Sequence, residues 1–233
     1  MKTHHNNEVI KAIFRDRPRS NLLKKHEQQA ISWLVRRIPS WINSDILTGF
    51  GLFGNVIVFA SFVIASFNSS TFLLLGLPGF IISWLGDSLD GRLAYYRNIP
   101  RKQYGFSLDI TIDWISIIIV GFGYIIYAEE AWEWLGYGFV VMYGWEMILA
   151  LIRYNLTGQY LIDSGKTGPT EVRIILCILL VIEVILPGSM KYLAAVLVGV
   201  LFIVNILDTH RLLRLADQID RDNRTGNKKK ADD

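Results

Sequence analysis

The chain has 233 residues, of which 52% are hydrophobic, and its 24 Lys and Arg against 21 Asp and Glu give a formal net charge of +3. Mean hydropathy is +0.32, and several apolar runs approach or exceed the ~20 residues a helix needs to cross a bilayer, which excludes an ordinary soluble domain. The basic residues flank these runs instead of forming a patch of their own, which argues against nucleic-acid binding. The one cysteine, Cys177, lies inside an apolar run and excludes an internal disulfide framework.

Residues 1–21 form a polar tail without the short apolar core of a secretory signal, so no cleaved leader is expected. Over 22–43 the pattern changes. Ile31, Leu34, Val35 and Ile38 recur at i, i+3, i+4 and i+7, with Lys24, Lys25, Arg36 and Arg37 on other faces. This predicts an N-terminal amphipathic helix in the membrane interface, with Trp33 and Trp41 at headgroup depth and Pro39 ending it. The competing reading is a surface helix packed on protein.

Six transmembrane helices are predicted next, within a domain spanning 44–210. They run from about Ser44 to Phe67, Phe72 to Tyr95, Gly105 to Tyr127, Trp132 to Arg153, Pro169 to Leu186 and Met190 to His210. Ser44 or Asp45 is the expected N-cap of the first. Residues 211–233 are expected to be a charged tail. The fold class is therefore all-α, a polytopic membrane protein.

The connections near 68–71, 128–131 and 187–191 hold one basic residue, Lys191, whereas the other side carries Arg92, Arg97, Arg101, Lys102, Lys166, Arg173 and both tails. The positive-inside rule then places the termini and the 96–104 loop in the cytoplasm. An integral, multi-pass protein of a bacterial cytoplasmic membrane is expected, with any site at that loop facing the cytoplasm.

The second span ends in GDSLDGRLAYYRN and the third begins YGFSLDITIDWIS, bringing in Asp87, Asp90, Asp109 and Asp113. Ionisable residues within a span are costly and mark function. Asp87 and Asp90 are i and i+3; Gly105, Asp109 and Asp113 are i, i+4 and i+8, so each set occupies one helix face. Asp113 lies ~12 Å along its helix from Gly105, and Asp87 sits at similar depth before Tyr95. Antiparallel packing then pairs Asp87 with Asp113 and Asp90 with Asp109. Four carboxylates in a low-dielectric site repel unless protonated or neutralised by cations. All-oxygen ligands favour hard divalent ions, and two such ions would balance the charge in a site suited to phosphoryl chemistry. Gly86, Gly91 and Gly105 beside them either admit a ligand to the backbone or let helices pack closely.

The string Asp87-x-x-Asp90-Gly91-x-x-Ala94, then Gly105-x-x-x-Asp109-x-x-x-Asp113, resembles the signature of the CDP-alcohol phosphotransferase family (CDP-alcohol phosphatidyltransferases, class I). Six spans behind an interfacial helix are also similar to that family. Two departures stand out. Tyr95 replaces the family arginine after Ala94, and the gap from there to Gly105 is nine residues where about eight is usual. Arg92 or Arg97 is the candidate replacement for the missing charge.

The resemblance implies transfer of a substituted phosphate from a CDP-linked donor to an alcohol acceptor, releasing CMP, in phospholipid biosynthesis. It further implies two Mg²⁺ or Mn²⁺ ions held by Asp87, Asp90, Asp109 and Asp113, with Asp113 as general base. Gly91, Ala94 and Gly105, with Arg92 and Arg97, would line the CDP donor. CDP-diacylglycerol with a water-soluble acceptor is the expected pair. The alternative is a CDP-aminoalcohol of the choline or ethanolamine type acting on a lipid alcohol such as diacylglycerol. Membrane lipids are partners in either case, and the family is often homodimeric.

Arg153 and Arg173 flank the fourth-to-fifth connection and are weaker candidates for an acceptor or lipid phosphate, with interfacial snorkelling as the plainer role. Glu146 and Glu183 fall within spans, and Glu183 is expected to serve packing or a dimer interface. An ion transporter built on the same acidic cluster would need polar residues continuing outward, but the third span beyond Asp113 reads WISIIIVGFGYIIY. A non-catalytic relative is the remaining alternative, raised by Tyr95.

Overall fold

The computed structural model describes residues 31–158 and 169–232, and all regular structure among them is helical. Six long helices follow one another: α1 (Ser44–Phe67), α2 (Gly76–Tyr96), α3 (Lys102–Tyr127), α4 (Trp134–Thr157), α5 (Pro169–Ile185) and α6 (Met190–Asp232). Short 3-10 turns at Ser70–Leu75 and Glu130–Glu133 lead into α2 and α4. Five of the helices are long and apolar enough to cross a membrane. The remaining predicted span is α5, whose 17 residues stand at the lower end of the ~17–25 that a crossing takes.

Burial runs opposite to that of a water-soluble protein. Thr48, Asn55, Ser61, Ser83, Ser88 and Ser116 face inward, while Phe50, Phe53, Ile81, Phe122, Ile178 and Ile203 are exposed. With lipid as solvent, apolar side chains cost nothing outside, and polar ones find partners inside. The five apolar helices and this inversion indicate an integral membrane protein.

The α1–α2 contact is the most extensive in the bundle, followed by α1–α3 and α4–α6. Glycines explain the first. A Cβ on Gly54 would lie 2.5 Å from the Gly79 carbonyl, and one on Gly86 would lie 2.6 Å from the Leu47 carbonyl. Only a residue without a side chain lets the two backbones touch, as small-residue seams do in membranes. A core of Val58, Phe62, Leu73, Phe80, Val120, Tyr124 and Leu180 fills one end of the bundle.

Element boundaries depart from the sequence reading in ways with physical causes. The N-cap of α1 is Asn43, whose side chain accepts from the Ile46 amide at 2.8 Å. Ser44 and Asp45, the expected caps, are engaged elsewhere: Ser44 donates to the Asp90 carbonyl at 2.8 Å, and Asp45 pairs with Arg101. Helix α4 runs on to Thr157, where Gly158 closes it at φ 69°, a left-handed cap that glycine adopts without strain. Helix α6 does not stop near His210 but continues to Asp232. No proline interrupts it, and pairs such as Arg221 with Asp217 at 2.8 Å, spaced i and i+4, sustain it.

The predicted interfacial helix lies partly outside the described residues, which begin at 31. Residues 31–35 are helical, and their apolar face is packed on protein: Ile31 and Val35 are buried against Leu47, Leu89 and Leu93 of α1 and α2. Trp33 and Trp41 point outward, 55% and 73% exposed. Arg97, just past α2, fastens this segment by donating to the carbonyls of Ile38, Pro39 and Ile42 at 3.3, 2.8 and 2.5 Å.

Candidate active site

The carboxylates sit at the end of the bundle where α2 turns into α3. The turn is short, Arg97 to Arg101, so the two helices are antiparallel neighbours and their acidic faces meet. Asp87 of α2 and Asp109 and Asp113 of α3 each bring one carboxylate oxygen within 4.8 Å of the others. These three form the acidic cluster. Asp90 lines the same cleft but is turned toward α1. Its Oδ2 accepts from the Thr48 hydroxyl at 2.7 Å, and its Oδ1 accepts from the Gly91 amide. The spacing argument expected Asp87 to meet Asp113 and Asp90 to meet Asp109; Asp87 and Asp113 do meet, in a group that also takes in Asp109, while Asp90 stands beside that group with its carboxylate bonded to Thr48.

Thr48 was not singled out by sequence, and Ser44 only as a candidate helix cap. Ser44 fixes the Asp90 backbone and Thr48 its carboxylate, so α1 sets the position of an acidic residue on α2. The signal was present in principle: Ser44 and Thr48 are i and i+4 on the helix that enters the membrane first. Uncharged hydroxyls on a helix have many plainer readings, however.

Arg173 is the second element from outside the motif. Near the start of α5, its Nη1 donates to Asp87 Oδ2 at 2.7 Å, with both side chains largely buried. It thus lies against the acidic cluster and lines the cleft together with Asp109, Asp113, Ser116 and Asn55. Arg153, grouped with it by sequence, is elsewhere: its guanidinium is 3.9 Å from Asp208 on α6, and Asp208 also accepts from Arg211 at 3.0 Å. Arg92 donates to the Ser88 carbonyl one turn earlier on its own helix. Arg97 directs its guanidinium at the carbonyls of the segment before α1, which anchors that segment. Gly91 and Gly105 face open space, with nothing within 4 Å of an added Cβ, whereas Gly86 is pressed on α1. The glycines flanking the acidic residues therefore divide into two that leave room and one that lets helices touch.

The donor set can hold a hard divalent cation. Clustered, mostly shielded carboxylates supply only oxygen, and like charges this close need a counter-charge that a single guanidinium does not match. Away from the site, Glu183 is buried in a complete network: it accepts from the Tyr127 hydroxyl at 2.7 Å, the Gly188 and Met190 amides at 2.9 and 2.6 Å, and Ser189 at 3.2 Å. This is a structural cap on the start of α6.

Among protein families, the sequence model of the CDP-alcohol phosphatidyltransferases matches residues 41–208. No curated protein matches the chain significantly.

Proposed function

The chain belongs to the CDP-alcohol phosphatidyltransferase family, and from that premise we propose that it transfers a phosphatidyl group from CDP-diacylglycerol to the hydroxyl of a water-soluble alcohol, releasing CMP, at the cytoplasmic face of a membrane. The observation that carries this is the convergence of Asp87, Asp109 and Asp113 from two antiparallel helices, with Asp90 beside them.

Asp87, Asp90, Asp109 and Asp113 would hold two Mg²⁺ or Mn²⁺ ions, which when bound offset charge on the diphosphate and on the departing CMP. Thr48 holds Asp90 in place from α1. Asp113, deepest of the α3 pair, takes the proton from the acceptor hydroxyl. That oxygen bonds to the β-phosphorus as the bond to the bridging oxygen breaks, and CMP leaves. Gly91 and Gly105, bare on the open side, admit the nucleotide, with Ala94 one turn on and Arg92 on the same helix. Arg173 is placed to meet a phosphate oxygen once a cation shares the charge of Asp87. The lining beyond Ser116 turns apolar, which supports an enclosed reaction site over an ion path.

The test is CMP release by purified protein in lipid nanodiscs, across a panel of alcohols, with Mg²⁺, Mn²⁺ or chelator. Metal-dependent release with one acceptor is expected, and Asp113→Asn should abolish it. Undiminished turnover by Asp113→Asn refutes the base assignment; no release from any CDP-linked lipid refutes the reaction.

A further inference from the structure

A second, partly open cavity of about 50 Å³ lies deeper in the bundle. Its lining is apolar except for the Tyr124 hydroxyl, which is buried without a hydrogen-bond partner. Interiors of proteins are packed with few voids larger than a water. An apolar void of this kind forfeits contacts along its walls and stays dry unless an apolar ligand enters.

Its position is the informative part. On α3 the polar cleft is lined by Asp109, Asp113 and Ser116, and the cavity by Val120 and Tyr124, a single stripe along one face. On α5, Arg173 lines the cleft, while Leu176 and Leu180 line the cavity one and two turns on. On α2, Ser83 faces the cleft and Phe80, one turn deeper, faces the cavity. Three helices thus change from polar to apolar at a similar level, and the cavity starts about one turn, ~5 Å, beyond the cleft.

Resting on the phosphatidyl-transfer reading, we propose that this cavity receives the end of one acyl chain of the donor lipid and limits its length. The two compartments match an amphiphile whose diphosphate meets the acidic cluster and whose tail lies along α3 and α5. Ala194 and Val198 of α6 close the far side.

The test uses CDP-diacylglycerol with dioctanoyl or dioleoyl chains, and Ala194→Phe and Val198→Phe as cavity-filling variants. KM for the dioleoyl donor should rise at least tenfold while that for the dioctanoyl donor stays within twofold; equal effects on both, or none in folded variants, overturn the proposal. Wild-type protein supplies a readout independent of turnover and of variant folding: a donor carrying a diazirine at the end of one chain, photolysed in nanodiscs and mapped by mass spectrometry. Adducts on Leu176, Leu180, Ala194 or Val198 are expected. Adducts confined to the outward residues Val196, Val200 and Ile203 overturn it, as does equal cavity labelling by phosphatidylcholine bearing the same chain. Absence of CMP release with cavity labelling intact would count against the reaction and leave the cavity assignment standing.

Discussion

Gly86→Ala tests whether the α1–α2 seam sets the geometry of the acidic cluster. The new methyl carbon would lie 2.6 Å from the Leu47 carbonyl, about 0.8 Å inside the 3.4 Å of ordinary contact, and the opposing atoms are backbone. A side chain could turn away, but a helix can only translate. The neighbouring Asp87 and the nearby Asp90 move with α2, while Thr48 stays with α1. Ligand distances at a metal centre tolerate about 0.2 Å, and misplacing a reacting group by about 1 Å costs on the order of 100-fold in rate. Overpacking itself destabilises by about 1–3 kcal/mol. The expected result is CMP release lowered roughly 100-fold, in protein that still shows a cooperative, somewhat lower thermal transition. Gly49→Ala on α1 is the control, because its added methyl meets nothing within 4 Å; it should leave both measurements unchanged. Turnover of Gly86→Ala within threefold of wild type at saturating metal would falsify the claim that this seam positions the site.

Thr48→Val removes the hydroxyl that holds Asp90, and loss of such a supporting bond typically lowers metal affinity about 10–100-fold; titration calorimetry with Mn²⁺ should register this, with Thr48→Ser restoring most of the affinity. Arg173→Ala should raise KM for the donor or for a phosphate-bearing acceptor, and Arg173→Lys should recover only part of it because the paired geometry on Asp87 suits a guanidinium; an unchanged KM for both substrates contradicts its placement. Glu183→Ala strips partners from two backbone amides, a tyrosine and a serine, and should destabilise by several kcal/mol, each buried unsatisfied group costing about 1–3, with kcat at low temperature near wild type. A chelator should stop turnover without unfolding the bundle, as followed by circular dichroism, since its core owes nothing to the acidic cluster.

The acidic residues were legible because helical spacing and lipid leave few explanations for charge: i, i+3 on α2 and i, i+4 on α3 bring three of the four together. The span count was legible from hydropathy for five helices, while α5 is short enough that length alone does not settle it. The contribution of α1 was not legible. Gly54, Ser44 and Thr48 act through close approach and single hydrogen bonds, which leave no periodic trace in a sequence. The arginines divided for a similar reason. Arg97, Arg153 and Arg173 look alike at the ends of their spans, and only packing decides that the first meets carbonyls, the second Asp208 and the third Asp87. The continuation of α6 past His210 was hidden because a loss of hydropathy marks where the membrane ends, which is a different event from the end of a helix.

The Glu183 network has a mechanical consequence. By gripping Tyr127 of α3 and the Gly188 and Met190 amides at the entry to α6 from α5, it lashes three helices together at the end remote from the carboxylates. A bundle tied at one tip behaves like a peg: the helices can part only at the other. Any opening of the bundle that admits a ligand is thereby directed to the mouth beside the carboxylates.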